Sequence, residues 1–459
     1  MKKEVVIAGA GLVGSLLSIY MAKRGYKVKL YERRPDMRIA KAEAGRSINL
    51  ALSDRGLLAL EKVGLADEIR KIAIPMHGRS IHTLDRSVAF QPYGKEGQYI
   101  NAVSRSELNT RLLDFAERCG VKIFFNHKCT AVDWKKNKIT FELSGSEIQA
   151  SGPVTIGFEL FFGADGAFSA TRLQHQLQHD KFEYHQYYID CGYKELTVPA
   201  GPGNSFLMEK NALHIWPRKD YMLIALPNPD GSFTCTLFVP FEGELSFQKL
   251  TTEEEVTVFF EKTFPDILAL IPDLTQQFFH NPLSSLVTVK CYPWAREDKF
   301  ALIGDAAHAI VPFFGQGMNC GFEDCRILGE LIGRYDDDWK KILDEYQRSR
   351  KPDADAIADL AVNNFTEMRD KTADPQFLLQ KKIEARLHEK YPDKWIPAYS
   401  QVTFSPQIRY SDALHNAMRQ EAIMQEVMKT PGIEQVRDKD EFLQAIVDRL
   451  NVKPLTLNP

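Results

Sequence analysis

The spacing of apolar and polar positions changes several times along the chain, and each change marks a predicted element. Residues 4–8 form a short β-branched apolar run that ends in glycines. An apolar helical pattern follows over residues 12–23, then a turn at Gly25 and a second strand-like run over 27–32. Strand, glycine turn, helix and strand within about thirty residues predict a βαβ unit, and with it a parallel sheet. Further helices are predicted over 56–72 and 106–119, with a strand over 121–125. Residues 131–162 alternate in short, turn-punctuated segments, as in an antiparallel excursion. The last of these, over 158–162, predicts a buried strand ending at Gly163, Ala164, Asp165 and Gly166.

From 181 to 290 the texture differs. Strands are predicted over 221–226 and 233–239 between Pro, Asn and Gly turns, with one helix near 253–263, so an antiparallel sheet with its own core is expected. Along 233–239, Phe233, Cys235, Leu237 and Val239 share one face, while Thr234, Thr236 and Phe238 share the other. The α/β texture returns at 300–303, followed by a glycine-rich loop and a helix over about 321–332, and beyond 340 the chain reads as helical and charged. These changes predict a discontinuous α/β domain from residues 1–70, 100–180 and 291–345. Residues 71–99 and 181–290 are expected to build a second domain, and 346–459 a helical region.

Bulk properties narrow the class. A chain of 459 residues is long enough for more than one core, and its formal net charge of −3 gives no basic excess that would suggest a nucleic-acid partner. Seven scattered cysteines without a C-x-x-C pair point to reduced thiols rather than a disulfide framework, and no metal site is expected. The N-terminus enters a strand at once, leaving no room for a signal peptide, and no apolar run approaches a membrane span. A soluble cytoplasmic protein without a transmembrane anchor is expected, as a monomer or homodimer.

The chemistry begins at Gly9-Ala10-Gly11-Leu12-Val13-Gly14, which closes the first strand and opens the first helix. In such a motif the first glycine permits the turn and the second lets backbone approach a pyrophosphate. The third lets helix and strand pack closely, and helix N–H groups face the anion. Glu32, eighteen residues past Gly14 at the end of the second strand, is placed to accept hydrogen bonds from a ribose diol. Together these predict a bound dinucleotide without choosing between NAD and FAD.

A second block, Gly304-Asp305-Ala306-Ala307-His308 with Pro312 and Gly315-Gln316-Gly317-Met318-Asn319, lies late in the chain. A third, Gly163-Ala164-Asp165-Gly166, is followed by Arg172. With the N-terminal fingerprint, these blocks resemble the single-component FAD-dependent aromatic hydroxylases. The resemblance implies an α/β fold: a Rossmann-like FAD-binding domain, an inserted antiparallel β-sheet substrate domain and a C-terminal helical region. It implies that Gly9, Gly11, Gly14 and Glu32 hold the ADP half of FAD and that Asp305 serves the ribityl chain or nearby ribose hydroxyls. The backbone of Gly315, Gln316, Gly317, Met318 and Asn319 would face the flavin N1–C2 region, where N–H groups stabilise the charge of reduced flavin. Asp165 would lie near both FAD and NADPH, and Arg105 near the FAD phosphates. Without the family, Asp165 reads as part of a plain turn and Arg105 as a solvated arginine. No second GxGxxG is present for NADPH, which fits a family that binds that nucleotide transiently.

Blocks at 45–53, 91–94, 213–217, 312–319 and 395–400 further resemble the branch of this family that acts on L-kynurenine. That implies 3-hydroxylation of the ring with NADPH and dioxygen, the oxygen passing from the flavin C4a position to the carbon ortho to the amine. The ring is already electron-rich, so no obligatory side-chain acid or base is expected. Arg79, Tyr93 and Tyr399 match positions that clamp the substrate carboxylate, a task suited to a guanidinium fork beside hydroxyl donors. Asn364 falls on the apolar stripe of Ile357, Leu360, Ala361 and Met368, where a buried amide needs a partner, and Glu367 lies three residues on. A ligand and a plain Asn–Glu pair both satisfy that need. Phe238 and Phe313 are expected to wall the ring. Position 314 is Phe here, where bacterial members can carry His. A halogenase or oxidoreductase on the same fold, or a non-catalytic flavin sensor, is the alternative. The amphipathic segment 442–450 is expected to pack over the substrate pocket rather than anchor the chain.

Overall fold

The computed structural model describes residues 3–39, 49–95, 97–143, 152–367 and 374–451. Residues 45–48 of the first kynurenine-type block, Met368 and the chain end from 452 lie outside the described residues. Glu4–Ala8 is central to a six-stranded sheet, ordered Ala295–Arg296, Phe300–Leu302, Leu160–Gly163, Glu4–Ala8, Lys27–Tyr31 and Lys122–Phe124. Apart from the edge pair Ala295–Arg296 with Phe300–Leu302, its ladders are parallel. Val5, Val6, Ile7, Leu160, Phe161 and Phe162 are fully buried, as strands covered on both faces require. The helices Leu12–Lys23, Arg105–Arg118 and Gly317–Tyr335 share this core.

The helix predicted over 56–72 is two, Asp54–Glu61 and Ala66–Arg70. Gly64 between them takes a φ of 77°, which stops the first helix. The helix expected from 321 starts earlier, at Gly317, where the glycine-rich sequence reads as loop. The excursion is the antiparallel set Val154–Gly157, Lys138–Leu143 and His127–Asp133. Ile74–Met76 pairs with Ile100–Ser104, beside Asn49–Leu52, in a separate small sheet.

A seven-stranded sheet runs in the order Ser284–Tyr292, Glu183–Val198, Phe233–Val239, Tyr221–Pro227, Ala212–Arg218, Gly78–His82, Val88–Pro92. It is antiparallel except where Ala212–Arg218 meets Gly78–His82. One face, with Leu196, Phe233, Cys235, Leu237 and Val239, is covered by three helices. These are Glu253–Thr263, opened by a Thr252–Glu255 capping box, Pro265–Leu268 and Leu274–His280. The other face carries Phe238, Met222, Ile215 and Tyr193 and meets the C-terminal helices. Glu183–Val198, a sixteen-residue strand, has an exposed first half, so it leaves no clean alternation in the sequence.

The C-terminal region is helical: Trp339–Thr366, Pro375–Lys390, Ala398–Phe404, Tyr410–Val427 and Asp440–Asp448. The last of these does not cover the pocket as expected. Its stripe of Leu443, Ile446 and Val447 packs into a groove made by Leu379, Leu387, Trp395 and Met424. Among the described residues no helix is long and apolar enough to cross a membrane.

A buried ionic cluster joins these parts. Arg350, on Trp339–Thr366, donates Nε to Asp324 Oδ1 at 2.7 Å, and Nη1 to Glu323 Oε2 at 3.0 Å and Asp353 Oδ2 at 3.1 Å. His308 Nε2 meets Asp324 Oδ2 at 2.6 Å. Burial opposes charge on His308, but Asp324 outweighs it and holds the imidazole well above its usual pKa. Removing one member of such a cluster leaves uncompensated buried charge. Arg350→Ala should therefore cost about 3–5 kcal/mol, read as a lowered urea midpoint with an unchanged slope.

Candidate functional site

The three fingerprint glycines have different physical reasons. Gly9 takes a φ of 103°, and a Cβ there would overlap the Ala164 carbonyl; a Cβ at Gly14 would overlap the Gly9 carbonyl. Both are demanded by the protein's own packing. A Cβ at Gly11 would meet no atom of the described residues within 4 Å, and its φ is an ordinary −72°. Only something lying on the loop can require that glycine, as a pyrophosphate would. Glu32, 6 % exposed, reaches back from the second strand: Ala10 N–H donates to its Oε2 at 2.9 Å and Arg34 Nε to its Oε1 at 2.8 Å.

The other two blocks converge on this loop. Ala164 N–H donates to the Ala8 carbonyl at 2.8 Å, and Ile303 N–H to the Gly163 carbonyl at 3.0 Å. Arg172 ties the blocks together, donating Nη1 to the Ala306 carbonyl and Nη2 to that of Ala167. The Asp165 carboxylate is engaged in its own turn, accepting from the Ser169 hydroxyl, the Thr171 hydroxyl and the Thr171 N–H. Asp305, by contrast, is exposed at the start of the short helix Asp305–His308 and has no protein partner among the described residues. Arg105, at the start of its helix, is likewise exposed.

Gly315, Gln316, Gly317, Met318 and Asn319 form the turn and first residues of the helix Gly317–Tyr335, whose first N–H groups have no intrahelical partners. The two amide side chains face inward. Asn319 donates to the Ala51 and Gly315 carbonyls, each at 2.8 Å, and accepts from Ser53 N–H at 3.0 Å. Gln316 accepts the Tyr410 hydroxyl at 2.9 Å. What this segment offers a cofactor is therefore backbone.

On the other side of the turn Pro312–Phe314 lie two aromatic groups. Phe313 packs 5.1 Å from Phe238 and 4.4 Å from Phe365 between ring centroids. Phe314 stacks on Tyr399 at 5.5 Å, and Tyr399 on Tyr93 at 5.6 Å. The Arg79 guanidinium lies 4.4 Å from the Tyr399 ring centroid and 5.4 Å from that of Tyr93. Its Nε is buried without a hydrogen-bond partner among the described residues. Burial, and Tyr399 beside it, hold the Tyr93 hydroxyl well above its usual pKa, so it is a neutral donor. Strand Gly78–His82, the turn after Val88–Pro92 and helix Ala398–Phe404 thus bring Arg79, Tyr93 and Tyr399 together.

Asn364 donates Nδ2 to the Phe313 carbonyl at 2.6 Å, so the amide holds the aromatic turn in place. Glu367 pairs with Lys381 of the neighbouring helix at 3.6 Å. His308, Cys320 and Asp324 also converge, but Arg350 and His308 already neutralise Asp324 there.

The FAD binding domain family matches residues 2–361 of this chain. Kynurenine 3-monooxygenase of Christiangramia forsetii is 51 % identical over 447 residues, covering 97 % of this chain and 98 % of that protein. The protein of the same name from Dictyostelium discoideum is 44 % identical over 94 % of each chain. The chain belongs to the kynurenine 3-monooxygenase family. Among solved structures, 2-methyl-3-hydroxypyridine-5-carboxylic acid oxygenase superposes with a TM-score of 0.68, covering 89 % of this chain and 98 % of that one at 19 % identity, a likeness of fold.

Sequence reasoning missed one charged group on the Phe238 face of the seven-stranded sheet in this kynurenine 3-monooxygenase family member. Glu195 pairs in register with Thr236, next to the Tyr193–Phe238 pair. Burial pushes its carboxyl up to about 7, against the pull of Arg105. The signal was available, since an acid alternating with Tyr193 and Thr197 shares their face.

Two outcomes follow from this geometry. Gly14→Val should fail to give folded protein, whereas Gly11→Val should fold but purify without flavin absorbance; a fully yellow Gly11→Val protein would contradict the reading of that loop. For Glu195, the folded state holds a proton that the unfolded chain releases near its ordinary pKa. Its contribution to stability must therefore fall as pH rises from about 4.5 to about 7. Glu195→Gln should flatten the loss of Tm across that window, measured against the parent.

Proposed function

We propose that this chain hydroxylates L-kynurenine to 3-hydroxy-L-kynurenine, using FAD, NADPH and dioxygen. Its membership of the kynurenine 3-monooxygenase family supports the reaction. The observation that carries the substrate assignment is Arg79, whose buried Nε has no hydrogen-bond partner among the described residues and whose guanidinium lies against the rings of Tyr93 and Tyr399. A buried donor without a partner is costly, and a carboxylate would satisfy the Arg79 Nε.

In this reading Arg79, with the Tyr93 and Tyr399 hydroxyls, holds the substrate carboxylate. Glu367 shares its charge between Lys381 and the substrate ammonium. Phe238 and Phe313 flank the aniline ring, and Asn364 fixes their spacing by gripping the Phe313 carbonyl. Gly9, Gly11, Gly14 and Glu32 would hold the ADP end of FAD. Asp305 and the backbone of 315–319 would hold its flavin end, with Arg105 near the phosphates. Asp165 would act indirectly, by fixing the turn through which Arg172 reaches Ala306. Bound FAD supplies the redox and oxygen chemistry. The chain's residues orient the ring and keep water from it, and an electron-rich aniline needs no strong side-chain base.

The test is NADPH oxidation by the purified flavoprotein with and without L-kynurenine, with product analysis. Stimulated oxidation with 3-hydroxykynurenine as product is expected; unstimulated oxidation without that product would end the proposal. Arg79→Ala should retain flavin and raise the L-kynurenine KM about 10–100-fold, the loss of one charge-assisted pair. An unchanged KM would remove Arg79 from the pocket.

A further inference from the structure

Arg55, the second residue of helix Asp54–Glu61, is 1 % exposed. It donates Nε to the Val402 carbonyl at 2.7 Å and Nη1 to Glu323 Oε1 at 3.0 Å. Its Nη2 serves the carbonyls of Gln401 and Ser405, each at 3.3 Å, and that of Ile408. These four carbonyls belong to the helix that carries Tyr399 and to the turn that follows it. A helix C-terminus leaves its carbonyls without partners, and a guanidinium can serve several at once.

The same guanidinium lies 4.0 Å from the centroid of the Tyr410 ring, whose hydroxyl donates to Gln316 Oε1 at 2.9 Å. Helix Asp54–Glu61 also touches that segment directly. Ser53 N–H donates to Asn319 Oδ1, and a Cβ at Gly56 would overlap the same oxygen. One short helix is therefore in contact with the element bearing Tyr399 and with the turn that opens the helix Gly317–Tyr335.

We propose that Arg55 is a positioning residue that links the seating of Tyr399 on the substrate to the Gln316–Asn319 turn beside the cofactor, with Tyr410 as the connecting contact. The inference rests on the function proposed above. A guanidinium is required because an ammonium cannot span four carbonyls and also lie flat on a ring. Substrate bound at Arg79 and Tyr399 should thereby favour one arrangement of the turn, and the rate of flavin reduction should report it.

The experiment compares the full-length FAD-loaded parent with Tyr410→Phe and Arg55→Lys. It measures anaerobic flavin reduction by NADPH with and without saturating L-kynurenine, L-kynurenine affinity by titration, and the peroxide formed per NADPH in air. Tyr410→Phe keeps the ring under Arg55 and removes only the hydroxyl. It should bind L-kynurenine like the parent, yet lose about tenfold of the substrate-stimulated rate, the size of a typical coupling between two sites. Arg55→Lys should lose the stimulation and also bind L-kynurenine more weakly. Parent-like stimulation and peroxide yield in Tyr410→Phe would overturn the inference alone, as would a deficit that tracks weaker substrate binding. No response to L-kynurenine in the parent would overturn the proposed function, and this inference with it. Should Arg55→Lys fail to fold, Tyr410→Phe decides.

Discussion

Glu323 and Asp324 are adjacent on one helix, and both are buried, so the chain must bring enough positive charge to neutralise them. That requirement organises the molecule. Arg55 comes from a helix near the N-terminus, Arg350 from the long helix Trp339–Thr366, His308 from the short helix Asp305–His308 and Arg326 from the next turn of the same helix as the two acids. Arg55, Arg350 and His308 each bring their own element with them. Helices far apart in sequence are held against the start of one helix by two carboxylates that cannot be left unpaired. Arg409 then draws the following helix in through Asp353.

The second organising feature is the division of the seven-stranded sheet into two unlike faces. On strand Phe233–Val239, residues of one parity join the core under three helices, and Phe238 joins the other face with Ile215, Met222 and Phe313. The first face is an ordinary core, sealed by Phe247, Phe259 and Phe264. The second is closed by elements from elsewhere in the chain: a turn from the α/β part and helices from the C-terminal part. The meeting of three parts of a chain is where small molecules are commonly bound.

What was legible in the sequence follows from how local its cause is. Gly9, Gly14 and the flanking strand and helix declare themselves because each glycine answers a constraint within a few residues or one ladder away. The parity of Phe238 was readable for the same reason. Arg55 was not, because its partners are backbone carbonyls about 350 residues later, and a carbonyl leaves no mark in a residue pattern. Gln316 and Asn319 were read from their family motif as cofactor residues through their backbone, and their side chains turn inward to hold the turn. The first half of Glu183–Val198 stayed hidden because a strand exposed on both faces has no reason to alternate. The final helix was expected over the pocket from its amphipathic stripe alone, which shows that one side is buried but not against what.

Phe313 and Phe314 are neighbours in sequence, yet one ring lies with Phe238 and Phe365 and the other with Tyr399. The hinge between these surroundings is pinned by the Asn364 amide on the Phe313 carbonyl. An engineer wishing to admit a bulkier aromatic compound would thus find this turn a poor place to begin. Enlarging the space beside one ring displaces its neighbour and, through the Phe314–Tyr399 stack, the ring of Tyr399. Room is better made from the sheet, at Leu213 or Ile224, which lie on the adjacent strands Ala212–Arg218 and Tyr221–Pro227 rather than on this turn.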